Sequence, residues 1–147
     1  MIKNLKSLFF IALCISFTII LTGCKNTYED LEHVYHLDIF DIEENEYYIY
    51  VYRPQCEVCS SLEETVCKYA KKAKRDKDMP NLYVLNKGDG VNNHGIYCSA
   101  EDYVDFIGAT TSSQVKTSSS PFLFKVQDGQ VVLTIDDGNV MREELTV

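Results

Sequence analysis

The sequence is short of basic charge, with 14 Lys and Arg against 22 Asp and Glu in 147 residues and a formal net charge of −8. Because contact with nucleic-acid phosphates requires a basic face, this balance argues against nucleic acid as a partner. Internal repeats are also absent. A chain of this length suits a single domain with its own hydrophobic core.

Acidic residues are missing altogether from the first 23 residues. Lys3 and Lys6 precede an apolar run from Leu8 to Leu21, which is the layout of a secretory signal. A plain membrane anchor is the weaker alternative, because the run is short for a span of roughly 20 apolar residues. The segment ends in Leu21-Thr22-Gly23-Cys24, which resembles the lipobox of bacterial lipoproteins.

The lipobox resemblance implies that residues 1–23 are a lipoprotein signal peptide and that Cys24 carries the lipid. Its acyl chains would anchor the protein to the extracytoplasmic face of a bacterial membrane, at roughly 0.8 kcal/mol per buried methylene. The mature chain would keep 12 basic and all 22 acidic residues, a net charge of −10. Residues 24–32, which are mostly polar, are predicted to be a tether, and residues 33–147 the folded domain.

The hydrophobic pattern after the tether predicts an α/β fold with a central mixed sheet flanked by helices. Leu62, Val66 and Tyr69 recur at helical spacing within a predicted helix over 57–75. Asp128-Gly129 predicts the tip of a hairpin. The other elements are predicted strands at 33–40, 47–52, 81–86, 121–126 and 131–135, predicted helices at 100–108 and 138–147, and predicted loops at 87–95 and 110–120.

Cys56 and Cys59 lie between a predicted strand and a predicted helix. A cysteine at a helix N-terminus has a stabilised thiolate and a lowered pKa, and the second cysteine follows one turn later. The pair is therefore favoured as a redox-active dithiol, with an inert structural bridge as one alternative. The other alternative is a zinc site that also uses Cys67 and Cys98, although the sequence lacks the paired CxxC spacing typical of such sites.

Two separate motifs resemble the thioredoxin superfamily. The first is Cys56-Glu57-Val58-Cys59 after a central strand, and the second is Ser120-Pro121 before a hairpin that turns at Gly129. The resemblance covers roughly residues 33–145 and is nearest to extracytoplasmic thioredoxin-like proteins and to bacteriocin transport accessory proteins.

This resemblance implies a thiol–disulfide oxidoreductase in which Cys56 attacks and Cys59 resolves. Pro121 would be cis and pack against the disulfide, and the backbone of Ser120 would pair with a substrate peptide. The expected partners are protein thiols and disulfides and an unidentified redox partner. No organic cofactor or metal is expected, because the dithiol itself carries two electrons.

The motif departs from the family at three positions. Gln55 replaces the usual tryptophan, Glu57-Val58 replaces Gly-Pro, and Tyr50 replaces a buried acid. Glu57 opposes the thiolate, which favours a mild redox poise. These departures keep open a second hypothesis, a non-enzymatic binding or accessory lipoprotein, for example in peptide or bacteriocin export.

Cys67 and Cys98 remain outside the motif. Helical geometry places Cys67 on the flank of its helix rather than in the core, and Cys98 lies at a loop-to-helix boundary. Because leftover cysteines in exported proteins usually pair, a Cys67–Cys98 structural disulfide is predicted. Two free thiols, or a relay pair that exchanges with Cys56 and Cys59, are the alternatives.

Overall fold

Four strands form one mixed sheet in the computed structural model, which describes residues 26–146. The strand order is β2-β1-β3-β4. β1 pairs in parallel with β2 and antiparallel with β3, and β3 pairs antiparallel with β4. The strands are β1 (Glu46–Tyr52), β2 (Asn81–Asn86), β3 (Phe122–Gln127) and β4 (Gln130–Ile135), and the helices are α1 (Glu57–Ala73), α2 (Gly90–Ile96) and α3 (Gly138–Glu144).

Strand β1 is the centre of the fold, and every residue in it except Glu46 is buried. Tyr48, Tyr50 and Tyr52 join the cluster that packs under α1. The alternate residues Tyr47, Ile49 and Val51 join a second cluster on the opposite face. Since helices or loops cover both faces, the run EYYIYVY has no polar face, and the chain leaves its carboxyl end directly into the CxxC motif.

The elements with the strongest local patterns are confirmed. α1 ends two residues before the predicted end, and it buries Leu62, Val66 and Ala70 against the sheet. The hairpin turns where predicted, at Asp128 and Gly129, whose φ angles of 49° and 74° suit the tight turn between β3 and β4. The C-terminal segment is helical as predicted, over Gly138–Glu144.

The predicted strand over 33–40 is wrong. Only His33 forms a bridge with β2, through Val84, and the chain then turns into a 3₁₀ helix over His36–Asp38. Leu37, one of the apolar residues of this segment, is 68% exposed. The turn is favoured because the His36 N–H donates to the side-chain oxygen of Asn92 at 2.8 Å, which fastens this segment to α2.

The predicted helix over 100–108 and the predicted loop over 87–95 are also wrong. The first segment is not helical, because the Gly108 N–H donates to the Val131 carbonyl of β4 at 2.8 Å. The second contains α2, which Asp89 caps by accepting from the Val91 N–H at 2.9 Å. Buried Asn92 then ties α2 to the end of β2 by donating to the Asn86 carbonyl at 3.0 Å.

The prediction that residues 24–32 are only a tether is wrong for the part that the structure describes. Tyr28 and Leu31 are buried in the cluster under α1, within a segment that includes a 3₁₀ helix over Tyr28–Asp30. The proposed signal peptide and lipid-bearing Cys24 lie outside the described residues. Between residues 26 and 146, no helix is long and apolar enough to cross a membrane.

Candidate functional site

Cys56 and Cys59 form a disulfide at the start of α1, with their Cα atoms 5.2 Å apart. Cys56 is the N-cap residue of the helix and is half-buried, whereas Cys59 is only 1% exposed. The two sulfurs therefore differ in access, because an incoming group meets Cys56 before it meets Cys59.

The backbone of α1 directs a partial positive charge at the sulfur of Cys56. The Cys59 N–H donates to Cys56 Sγ at 3.1 Å. In the reduced state this contact and the helix N-terminus stabilise a thiolate on Cys56. Glu57 is an exposed neighbour with the opposite effect, and exposed Arg53 precedes the motif.

The Ser120–Pro121 peptide bond is cis, as the resemblance implies. The Ser120 carbonyl oxygen lies 3.6 Å from Cys56 Sγ. Pro121 is buried and leads directly into β3, whereas Ser120 is half-buried. The structure thus brings together the four residues, 56, 59, 120 and 121, that the two sequence motifs indicate.

Two tyrosines lie beneath the disulfide, and one of them occupies the position of the family's buried acid. The hydroxyl oxygens of Tyr28 and Tyr50 are 3.1 Å apart, and the Tyr28 hydroxyl donates to the Cys59 carbonyl at 2.5 Å. Burial raises the pKa of Tyr50 to about 12, and its hydrogen bond with Tyr28 has the opposite effect; burial also raises the pKa of Tyr28. Both residues are therefore neutral hydrogen-bonding groups near pH 7.

Sequence reasoning missed two contributors to this site, Tyr28 and Lys87. The buried Lys87 ammonium donates to Thr117 and Ser119 in the segment just before Pro121. Neither residue belongs to a local motif, and each acts on a segment about 30 positions away. The only signal in the sequence was the position of Lys87. It directly follows the strand pattern NLYVLN, at the end of the sheet that carries the CxxC motif.

The predicted Cys67–Cys98 disulfide is absent, because the structure has both residues as free thiols. Cys67 is fully buried, so the prediction that it lies outside the core is wrong; it shares its buried cluster with Tyr28 and Leu31 of the N-terminal segment. Cys98 instead follows α2, where its N–H donates to the Thr117 carbonyl at 3.2 Å. In residues 26–146, no group of three or more His, Cys, Asp or Glu is arranged to hold a metal ion, and two of the four cysteines of the zinc alternative are joined in a disulfide.

Comparisons with known proteins support the fold. No family model and no curated protein sequence matches the chain. Mitochondrial thioredoxin 3 from Saccharomyces cerevisiae, in its oxidised form, is similar at a TM-score of 0.52 and 11% identity, over 80% of this chain and 95% of that one. A chain from a structural study of thiol resolution in yeast mitochondrial 1-Cys peroxiredoxin, via glutathione and thioredoxin systems, is similar at a TM-score of 0.53 and 10% identity, over 81% of this chain and 96% of that one.

At these identities the similarity concerns the fold alone. The chain has the thioredoxin fold, and the resemblance drawn from the CxxC motif and from Pro121 is confirmed at that level.

Proposed function

We propose that this protein is a lipid-anchored, extracytoplasmic thiol–disulfide oxidoreductase that acts on protein substrates. One observation carries the proposal: the Cys56–Cys59 disulfide lies at a helix N-terminus, with the carbonyl before a cis proline 3.6 Å from its accessible sulfur. The helix terminus supports a reactive thiolate on Cys56, and the half-buried backbone edge at Ser120 suits an extended peptide.

In the reductive direction, the Cys56 thiolate attacks one sulfur of a substrate disulfide. That disulfide breaks, its leaving thiolate takes up a proton, and a mixed disulfide joins Cys56 to the substrate. Cys59, as a thiolate, then attacks Cys56 Sγ and releases the second substrate thiolate. The substrate gains two electrons, the Cys56–Cys59 pair loses them, and a second redox protein must reduce the pair again. Oxidation of a substrate dithiol is the same sequence reversed.

The decisive experiment is redox titration of the pair in glutathione buffers between roughly −300 and −120 mV. Reversible conversion of Cys56 and Cys59 between disulfide and dithiol, followed by alkylation and mass spectrometry, supports the proposal. A pair that stays oxidised across the whole range contradicts it. Cys67→Ser is the matched control, because it removes a buried thiol from the same helix without touching the pair.

Replacing Cys59 with Ser should trap mixed disulfides in cells, because the second attack is then lost. These species should run as high-mass bands on non-reducing gels, disappear with reductant, and be absent from the Cys56→Ser variant. A single monomer band from Cys59→Ser would argue against exchange with proteins.

The lipid anchor is proposed from Leu21-Thr22-Gly23-Cys24 alone. Metabolic labelling with a fatty acid should mark the wild type and leave Cys24→Ser unlabelled. Equal labelling of both forms would remove the anchor from the proposal while leaving the redox chemistry untouched.

A non-enzymatic binding or accessory lipoprotein is the second candidate. It is favoured by Val58, which lies between the two cysteines, is 49% exposed and contacts the start of α3 near Gly138. An apolar side chain there suits contact with a bound polypeptide whether or not the disulfide opens. A fully inert pair in the glutathione titration, together with normal folding, would favour this candidate.

A further inference from the structure

Lys87 carries a buried ammonium group at the same end of the sheet as the disulfide. Its side chain and backbone together are only 3% exposed, and its N–H donates to the carbonyl of Tyr52, the last residue of β1, at 2.7 Å. Its Nζ donates to the Thr117 carbonyl at 2.8 Å, to Thr117 Oγ1 at 3.1 Å and to the Ser119 carbonyl at 3.3 Å. These three acceptors use all three N–H groups of an ammonium, so the surroundings fit the charged form.

Among the residues that the structure describes, no carboxylate forms an ion pair with Lys87. The ion pairs among residues 26–146 involve Lys68, Lys74 and Lys125. The ammonium instead lies 5.1 Å from the centre of the Tyr97 ring. Burial lowers the pKa of Lys87, the Cys98 thiol opposes that effect, and Arg53 reinforces it.

Stability of the fold does not account for this residue. Removing an ammonium from water is costly even when it is hydrogen-bonded, and an unbranched apolar side chain in the same place avoids that cost. A buried charge with only neutral partners therefore points to an effect on a neighbouring group.

Two consecutive carbonyl groups connect Lys87 to the sulfur of Cys56. Lys87 holds the carbonyl of Ser119, and the carbonyl of the next residue, Ser120, lies 3.6 Å from Cys56 Sγ. The ammonium is thus connected to the sulfur through a single residue of backbone. A positive charge in a poorly solvated position stabilises a thiolate, which is the opposite of the effect expected from the acidic side chain of Glu57.

We propose that Lys87 is a positioning residue that sets the redox poise of the Cys56–Cys59 pair, by holding the Thr117–Ser119 segment that places the Ser120 carbonyl beside Cys56, and by stabilising the Cys56 thiolate. The proposal rests on the function proposed above, because it needs a pair that exchanges. If Lys87 has this role, the reduced form of the pair is more stable than it would be without the ammonium. The Cys56–Cys59 pair is then more oxidising.

The test compares Lys87→Gln and Lys87→Met in the full-length chain purified in detergent. Gln keeps two N–H donors for the Thr117–Ser119 segment and removes the charge, whereas Met removes both. We expect the equilibrium constant for oxidation by glutathione disulfide to rise about three- to tenfold in both variants, where tenfold corresponds to a potential lower by about 30 mV. The pKa of Cys56, measured from the pH dependence of alkylation of the reduced protein, should rise in both.

Lys116→Gln is the matched control, because it removes the same charge one residue before Thr117, from an ammonium that donates to the Gly95 carbonyl instead. It should leave the potential and the pKa of Cys56 unchanged. Thermal unfolding of each oxidised variant identifies any variant that does not fold. If Lys87→Met does not fold, Lys87→Gln, which keeps hydrogen-bond donors, provides the test.

Two outcomes separate this inference from the proposed function. A wild-type pair that does not respond to glutathione removes the proposed function itself. A wild-type pair that responds normally, with Lys87→Gln folded and unchanged in both potential and Cys56 pKa, overturns only the role of Lys87. A change confined to Lys87→Met also overturns the electrostatic role, because it would trace to lost packing or hydrogen bonds.

Discussion

The Tyr28 hydroxyl donates a hydrogen bond to the carbonyl of Cys59 at 2.5 Å, which joins the N-terminal segment to the redox pair. The same hydroxyl meets Tyr50, and the Tyr28 N–H donates to the carboxylate of Glu63 at 3.1 Å. Tyr28, which lies four residues after the proposed lipid attachment point, therefore packs against the first two turns of α1 and hydrogen-bonds to them.

Replacing Tyr28 with Phe should destabilise the oxidised protein by about 1–3 kcal/mol, because the Tyr50 hydroxyl and the Cys59 carbonyl lose a buried partner. Urea unfolding measures the change. Tyr35→Phe is the control, since Tyr35 is 55% exposed and its replacement should stay within about 0.5 kcal/mol of the wild type. Equal stability of the two variants would show that the hydrogen bonds of the Tyr28 hydroxyl do not stabilise the redox site.

This contact shows where sequence reasoning reached its limit. The CxxC motif, β1 and α1 were predicted because each depends on a pattern within a few residues. Tyr28 was missed because its neighbours in sequence are polar and its partner lies 31 positions away. A polar stretch is typical of a tether, and the burial of Tyr28 depends on tertiary contacts that the local sequence does not show.

The errors around α2 have the same physical origin. GVNNHGI has two glycines and two asparagines and lacks an apolar stripe, so its local preference is for a loop. Contacts of buried Asn92 with the segments at Asn86 and His36 override that preference. Conversely, Ser99 makes a cap-like contact with the Asp102 N–H at 3.1 Å, yet no helix follows because Gly108 bonds to β4.

Gly95 lies where α2 packs against the His36 ring, so we predict that Gly95→Ala is destabilising. An added Cβ would lie 2.7 Å from His36 Cγ, in a buried position where the ring has little room to move. The expected cost is about 1–3 kcal/mol, measured by urea unfolding.

Gly90→Ala is the control in the same helix, because a Cβ there meets nothing within 4 Å. Alanine is the better helix former, so its stability should be unchanged or higher by up to about 1 kcal/mol. If both variants behaved alike, the packing of α2 against His36 would be refuted.

The two free cysteines should differ in reactivity. Burial, reinforced by Glu63, raises the pKa of Cys67 to about 11, and its side chain is fully covered. Cys98 is half-buried. Because the thiolate reacts and must be reached, a maleimide at pH 7 should label oxidised native protein at Cys98 on the order of 100 times faster than at Cys67.

In guanidinium without reductant, both Cys67 and Cys98 should be labelled, while Cys56 and Cys59 stay protected by their disulfide. Intact mass and peptide mapping give the count and the sites. Cys98→Ser should lose the native label and Cys67→Ser should keep it. An oxidised, unfolded chain without any label at these positions would restore the Cys67–Cys98 bridge that the sequence predicted.

Gln55 replaces the family's tryptophan and has a φ of 63°, in the left-handed region that favours glycine. Gln55→Gly should therefore be neutral or stabilising by up to about 1 kcal/mol, since relief of strain slightly exceeds the added entropy of the unfolded chain. Gln55→Val should be destabilising by about 1–3 kcal/mol, because a β-branched side chain is poorly tolerated there.

The matched pair for this test is at Lys72, an exposed position near the end of α1. Within a helix, glycine is less stabilising than valine by a few tenths of a kcal/mol. The Gly variant should therefore be the more stable one at position 55 and the less stable one at position 72. Urea unfolding of the four oxidised proteins measures both differences. Valine equal to or better than glycine at position 55 would mean that the turn into Cys56 does not hold a left-handed residue, and that the sulfur is presented by a different backbone path.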